Sequence, residues 1–232
     1  MVDPIKGHLV LAKYREDTSW SSTVLTHPEL VRYISEVHTI QQDEMYGQES
    51  GAYISYILRH WESLPDFMIF SQADPFVHVG DVYGAFAEAC RAQSRTPVFF
   101  RPLGTMTVIG KHEPLVRRCR SRAGQTDYGM HPVKTAYDYI RRELKPDWPE
   151  ECPDELIACF GSIFMASCVA IRQYPKSFWE WLLRWVGHDN TCVKSIEAAI
   201  MERLWPTVLC PALREAKGFD KHGKPIYAPA GG

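Results

Sequence analysis

The chain has 232 residues, 45% of them apolar and 23% charged, with a formal net charge of −2. Seven tryptophans, eleven tyrosines and ten phenylalanines exclude a disordered chain, and no window approaches the roughly 20 apolar residues of a membrane span. Seven cysteines without a CxxC pair exclude a zinc ribbon and a thioredoxin site.

The expectation is therefore a soluble, cytoplasmic protein with free thiols in a reducing compartment and no membrane partner. The length allows one large domain or two small ones. No repeat and no linker divides the chain, so residues 1–217 read as a single α/β domain and residues 218–232 as a Pro/Gly-rich tail that frays.

In chain order, His8 to Ala12 is a short apolar run and a first strand. Tyr14 to Trp20 is polar and too short for a helix. Pro28 to Ile34 suggests a helical turn, and Glu36 to Ile40 alternates as a second strand does. From Ser50 to Trp61 the pattern is helical. Tyr53, Tyr56, Ile57, His60, Trp61 and Leu64 share one face, and Pro65 ends the helix. Phe67 to Phe70 is wholly apolar, as in a central strand. Asp81 caps a helix running to Arg91, with Phe86 and Ala89 inward.

Pro97 to Phe100 and Met106 to Ile109 read as strands. Residues 110–155 read as polar loops with one helix at Thr135 to Leu144. Gly161 to Met165 reads as another central strand followed by a short helix. Lys176 to Val186 is an amphipathic helix, and Val193 to Trp205 is helical through Ile196, Ile200 and Leu204. Alternating strands and helices give an open, mixed or mostly parallel sheet flanked by helices.

Charge is unevenly spread. Residues 1–90 hold 5 Lys/Arg against 13 Asp/Glu, a net of −8, whereas residues 91–122 hold 8 against 1, a net of +7. The tightest part of the basic block is Arg117, Arg118, Arg120 and Arg122. It is either a solvated turn or a phosphate-backbone contact for RNA.

Polar groups cluster after the central strand. Gln72, Asp74 and His78 follow Phe70, at the carboxyl edge where open α/β sheets bind ligands. An Asp and a His there suit metal binding, amine positioning or acid/base transfer. Glu49 opens the Ser50 helix, where a carboxylate is stabilised by the helix dipole and can pair with a guanidinium. Asp17 lies past the first strand at the same edge. Glu202 stands on the last helix, where a salt-bridge role is the plainer alternative. The GxGxxG, P-loop, GxSxG and HExxH motifs are absent, and no metal and no cofactor is expected.

The chain resembles a large, mostly fungal family long catalogued as a domain of unknown function. The resemblance rests on Leu9 to Tyr14 with Glu16 to Trp20, Gly47-Gln48-Glu49, Tyr53 to Ile57, Leu64-Pro65-Asp66, Phe70-Ser71-Gln72 and His78. Later matches are Phe164 to Ser167, Ile171, Tyr174-Pro175, Phe178 and Glu202 to Pro206. Two departures stand out: no N-terminal membrane anchor, and Ala73 where the family usually has Gly.

The resemblance implies a glycosyltransferase-A-like fold. Through soluble relatives it also implies an arginine-containing cyclodipeptide synthase, which joins two aminoacyl-tRNAs into a cyclic Arg-Xaa dipeptide. The expected partners are arginyl-tRNA and a second aminoacyl-tRNA. Glu49, Asp74 and His78 are then the catalytic candidates, Asp17, Gln72 and Glu202 the substrate-binding ones, and Arg117, Arg118, Arg120 and Arg122 the tRNA contacts. The alternatives are a glycosyltransferase-like enzyme using a nucleotide-sugar and a non-enzymatic RNA-binding module.

Overall fold

A computed structural model describes residues 5–41, 48–95, 100–104, 106–110, 112, 114–121, 124–132, 137–138, 141–142, 152, 154–187, 196–210, 218–219 and 225–226. In chain order the strands are β1 (Gly7–Lys13), β2 (Ile34–Gln41), β3 (Phe67–Gln72), β4 (Phe100–Pro102), β5 (Met106–Gly110), β6 (Pro114–Ser121), β7 (Gly124–Pro132), β8 (Glu155–Cys159) and β9 (Phe164–Ser167). A two-residue pair, β10 (Gly218–Phe219) and β11 (Pro225–Ile226), closes the series. The helices are α1 (Gln48–Arg59), α2 (Val82–Arg95), α3 (Cys168–Arg172), α4 (Lys176–Val186) and α5 (Ile196–Leu209).

The main sheet has five strands in the order β2-β1-β3-β9-β4. β1 is parallel to both β2 and β3, whereas β9 is antiparallel to both β3 and β4. The sheet is thus open and mixed, with helices packed on it. β3 sits in the middle, as its unbroken apolar run requires.

Side chains alternate across a strand, so each central strand feeds two cores. Val10, Ala12, Met68, Phe70, Phe164 and Ala166 face α1, α4 and α5, including Tyr53, Tyr56, Trp179 and Trp205. Leu9, Leu11, Phe67, Ile69, Ile163 and Met165 face α2 through Val82, Phe86 and Ala89. α2 begins as its sequence suggests, with the Asp81 carboxylate accepting from the Gly84 amide at 2.9 Å.

Several expectations are corrected. Residues 110–155 are not simply loops: β6 and β7 form an antiparallel ribbon, and β8 pairs with β5 in a second small sheet. The ribbon has no regular apolar alternation, which is the signal a periodicity reading follows. Arg117, Arg118 and Arg120 therefore lie on a strand rather than a turn. The strand expected to begin at Gly161 begins at Phe164, because Phe160–Ser162 is a tight turn with Gly161 at φ 78°. The last helix runs through Pro206 to Leu209. Proline removes an N–H there, so position 206 cannot donate to the carbonyl of Glu202. Apart from these corrections, Gly218–Phe219 pairs antiparallel with Pro225–Ile226, and the rest of the expected tail, residues 220–224 and 227–232, lies outside the described residues.

Candidate active site at the carboxyl edge of the sheet

β1 and β3 run side by side and end together, with Ala12 opposite Gln72 and the Ala73 amide donating to the Ala12 carbonyl at 2.9 Å. Their following loops share the carboxyl edge of the sheet. The Trp20 indole N–H donates to the Ala73 carbonyl at 2.7 Å, which ties the loop after β1 to the loop after β3. β9 is antiparallel to β3, so the turn that precedes β9, Phe160–Ser162, arrives at the same edge. α1 also runs against β1 and β3, so its first turn, with Glu49, lies there too.

This turn is the centre of the site. Gly161 takes a left-handed conformation at φ 78°, which glycine adopts without penalty. Its amide donates to Glu202 Oε1 at 2.8 Å. The His78 ring packs on it so closely that a Cβ at position 161 would lie 2.8 Å from His78 Cδ2. The neighbouring Ser162 carbonyl accepts from the buried Tyr53 hydroxyl at 3.0 Å. Burial raises the Tyr53 pKa well above the ordinary phenol value, and the Glu49, Cys159 and Glu202 groups around it add to that. Tyr53 is therefore a neutral donor that pins the turn.

Among the described residues, two non-glycine residues are also left-handed: Gln48 and Ser162, each at φ 50°. Such backbone costs about 1–3 kcal/mol per residue and persists where the surroundings enforce it. One precedes Glu49 and the other follows Gly161. The Cys159 thiol donates to the Ile163 carbonyl at 3.2 Å, and burial pushes it up to about 11. It is a packed thiol rather than a nucleophile.

The expected site residues separate into two groups. His78 and Glu202 meet at Gly161, and Glu49 lies near enough to Tyr53, whose hydroxyl holds the Ser162 carbonyl, to raise its pKa. Asp17, Gln72 and Asp74 share the edge but are engaged locally. The Asp17 carboxylate accepts from the Ser19 hydroxyl at 2.7 Å and the Ser19 amide at 2.9 Å. Those bonds hold its carboxyl below the usual carboxylate range. The Gln72 side-chain amide donates to the Asp74 carbonyl at 2.9 Å, and Asp74 is exposed.

Of the basic block, Arg117, Arg118 and Arg120 stand on β6, opposite Tyr128, Asp127 and Gln125 of β7. Arg122 lies outside the described residues. β6 passes close to α5, the helix that carries Glu202. Sequence reasoning missed Gly161, Ser162, Tyr53 and Cys159 as parts of this site. The one signal in the sequence was Gly161-Ser162 itself, a small pair inside an apolar run, where a lone glycine marks a bend or a close approach.

No helix among the described residues is long and apolar enough to cross a membrane. No curated protein and no solved structure matches the chain. A family model described as protein of unknown function, DUF3431, matches residues 9–217, and the chain belongs to that family.

Proposed function

We propose that this member of the DUF3431 family is an aminoacyl-transfer enzyme, a tRNA-dependent cyclodipeptide synthase that forms a cyclic Arg-Xaa dipeptide. The observation that carries the reading is the meeting of His78 and Glu202 at one strained turn at the carboxyl edge of the sheet, with Glu49 close enough to the Tyr53 that pins the turn to raise its pKa. Two glutamates from separate helices suit a guanidinium, which carboxylates hold through paired charge-assisted hydrogen bonds. A histidine on the same turn suits the transfer of an amine proton.

The chemistry asks little more of the protein. The α-amine of one aminoacyl group attacks the ester carbonyl of the other, a C–N bond forms, and the first tRNA leaves through its ribose oxygen. His78 takes the proton that the amine loses, and the departing ribose oxygen receives a proton in turn. The free amine of the dipeptidyl ester then attacks its own ester carbonyl, closing the diketopiperazine and releasing the second tRNA. Both esters are already activated, so positioning supplies much of the rate. The reading is supported by β6, the strand that carries Arg117, Arg118 and Arg120, passing close to α5, the helix that carries Glu202, since a basic strand suits a tRNA backbone.

The test is reconstitution. The purified chain is incubated with arginine, a mixture of the other amino acids, their synthetases, ATP and tRNA, and cyclic dipeptides are detected by mass spectrometry. Products containing arginine that vanish on RNase treatment are expected. Product formation that survives RNase overturns the tRNA mechanism, and no product from any amino acid overturns the activity.

A further inference from the structure

A second polar cluster lies at the opposite end of the same sheet, and its chemistry is different. β1 and β2 are parallel neighbours, with His8 opposite Glu36 and Val10 opposite His38. His8, Glu36 and His38 therefore point to one face of the sheet, the face covered by α1. They sit near the start of β1, whereas the site described above lies beyond its end. α1 spans the distance: Glu49 and Tyr53 lie toward one end, and Tyr56, with His60 just past the helix, reaches the other.

The geometry is that of convergent ligands. One ligand atom from each of His8, Glu36 and His38 can be chosen so that all lie within 4.8 Å of one another. The Glu36 carboxylate straddles the two rings, with one oxygen 2.9 Å from His38 Nε2 and the other 3.8 Å from His8 Nε2. His8 Nδ1 is hydrogen-bonded to the Tyr56 hydroxyl at 2.5 Å, which leaves Nε2 as the nitrogen that faces Glu36. Histidines that bind metals are oriented by such a partner on the second nitrogen.

His38 Nε2 is buried and lacks a hydrogen bond of proper geometry despite its closeness to Glu36. A buried nitrogen in that state is destabilising, and a metal ion would relieve it. Donor atoms around tetrahedral zinc are about 3.3 Å apart, so small side-chain rotations close the observed spacing onto an ion.

We infer that His8, Glu36 and His38 form a binding site for a divalent transition-metal ion of the zinc class. Two imidazoles and a carboxylate are a borderline-soft donor set that selects zinc-like ions over magnesium or calcium, which take oxygen ligands. Three protein ligands leave a coordination position open, as in a catalytic rather than a structural zinc site. His8 and Glu36 also line a cavity of about 480 Å³ with His60, Lys6, Ser63 and Asp66. The His60 ring, 4.9 Å from that of His38, borders it. The site stands independently of the aminoacyl-transfer reading.

The experiment uses the full chain, freed of metal by a chelator and titrated with Zn²⁺ by calorimetry. One ion per chain is expected, bound at micromolar Kd or tighter, with a rise in Tm on binding. Glu36→Gln and His38→Ala should each weaken binding at least tenfold. Glu36 is exposed, so its near-isosteric Gln variant keeps the fold, which circular dichroism checks. Co²⁺ substitution should give visible bands without the sulfur charge-transfer absorption of a cysteine site. Wild-type affinity in Glu36→Gln, a thiolate-type Co²⁺ spectrum, or no saturation below millimolar Zn²⁺ would overturn the inference.

Discussion

Gly161→Ala probes the turn that holds the carboxyl-edge site together. An L-residue at φ 78° pays about 1–2 kcal/mol for the left-handed backbone. The added Cβ would also stand 2.8 Å from the His78 ring, which must move aside. Because His78 is exposed, the ring can swing out, so the steric part is smaller than a core clash. The predicted loss is about 1–2 kcal/mol from the backbone, at about 2–4 °C of Tm per kcal/mol in a chain of this size.

The two causes separate in a double-mutant cycle. In a His78→Ala background the steric contact is gone and only the backbone cost remains. Gly161→Ala should therefore cost at least 0.5 kcal/mol less there, the order of coupling seen between touching residues. Urea unfolding monitored by tryptophan fluorescence gives all four stabilities. An unchanged unfolding midpoint in Gly161→Ala would refute the strained turn. An equal cost in both backgrounds would refute the packing of His78 on it.

Other substitutions test neighbouring parts of the account. Glu202→Gln keeps an acceptor for the Gly161 amide, so it should lose less than about 1 kcal/mol, whereas Glu202→Ala strands that amide and should lose about 1–3 kcal/mol. Equal stability of the two variants would be inconsistent with the bond. Tyr53→Phe removes the donor to Ser162 and should destabilise by about 1–2 kcal/mol with little change in volume, which thermal melts resolve. His78→Asn should lower the rate of dipeptide formation by about 10²–10⁴ at unchanged stability if the ring carries the proton. Burial holds Cys159 up to about 11 and Cys90 up to about 12. Neither should be alkylated by iodoacetamide at pH 8 in the folded chain, and both should react after unfolding; rapid native labelling seen by peptide mass mapping would contradict their burial.

Hydrophobic period carried the sequence reading as far as it went. The face of α1 was legible because Tyr53, Tyr56 and Ile57 recur at helical spacing and are buried as that spacing requires. β3 was legible as central because its apolar run leaves no face for water, and it lies third of five strands. α4 matches its amphipathic pattern at both ends, Lys176 and Val186. The ribbon β6–β7 was not legible, because charged and polar residues follow one another there without a period. The end of α5 was not legible either: the expected helix ends at Trp205, yet a proline inside a helix is tolerated when packing compensates, and Trp205 and Val208 beside Pro206 are buried.

The site was legible only in part. Glu49 and His78 drew notice as polar residues at element ends and Glu202 as a carboxylate on a helix face, but nothing local says that β9 is antiparallel to β3. That pairing brings the Gly161 turn to His78 and Glu202. Asp17 and Asp74 looked equivalent to them in sequence, yet Asp17 spends its carboxylate on Ser19. The pair His8 and His38 was invisible for the same reason as the Gly161 turn. Parallel pairing of β1 and β2 creates their proximity, and sequence spacing does not record it.

The central claim is aminoacyl transfer from tRNA, and its most direct measurement is a single-turnover chase. Purified arginyl-tRNA carrying radiolabelled arginine is mixed with excess enzyme and a pool of the other aminoacyl-tRNAs, without ATP or synthetases. The account predicts that the label leaves tRNA and appears in a cyclic dipeptide, and that Glu202→Gln and His78→Asn both slow this transfer while remaining folded. Label that stays on tRNA, or is released only as free arginine at the uncatalysed rate, would contradict it.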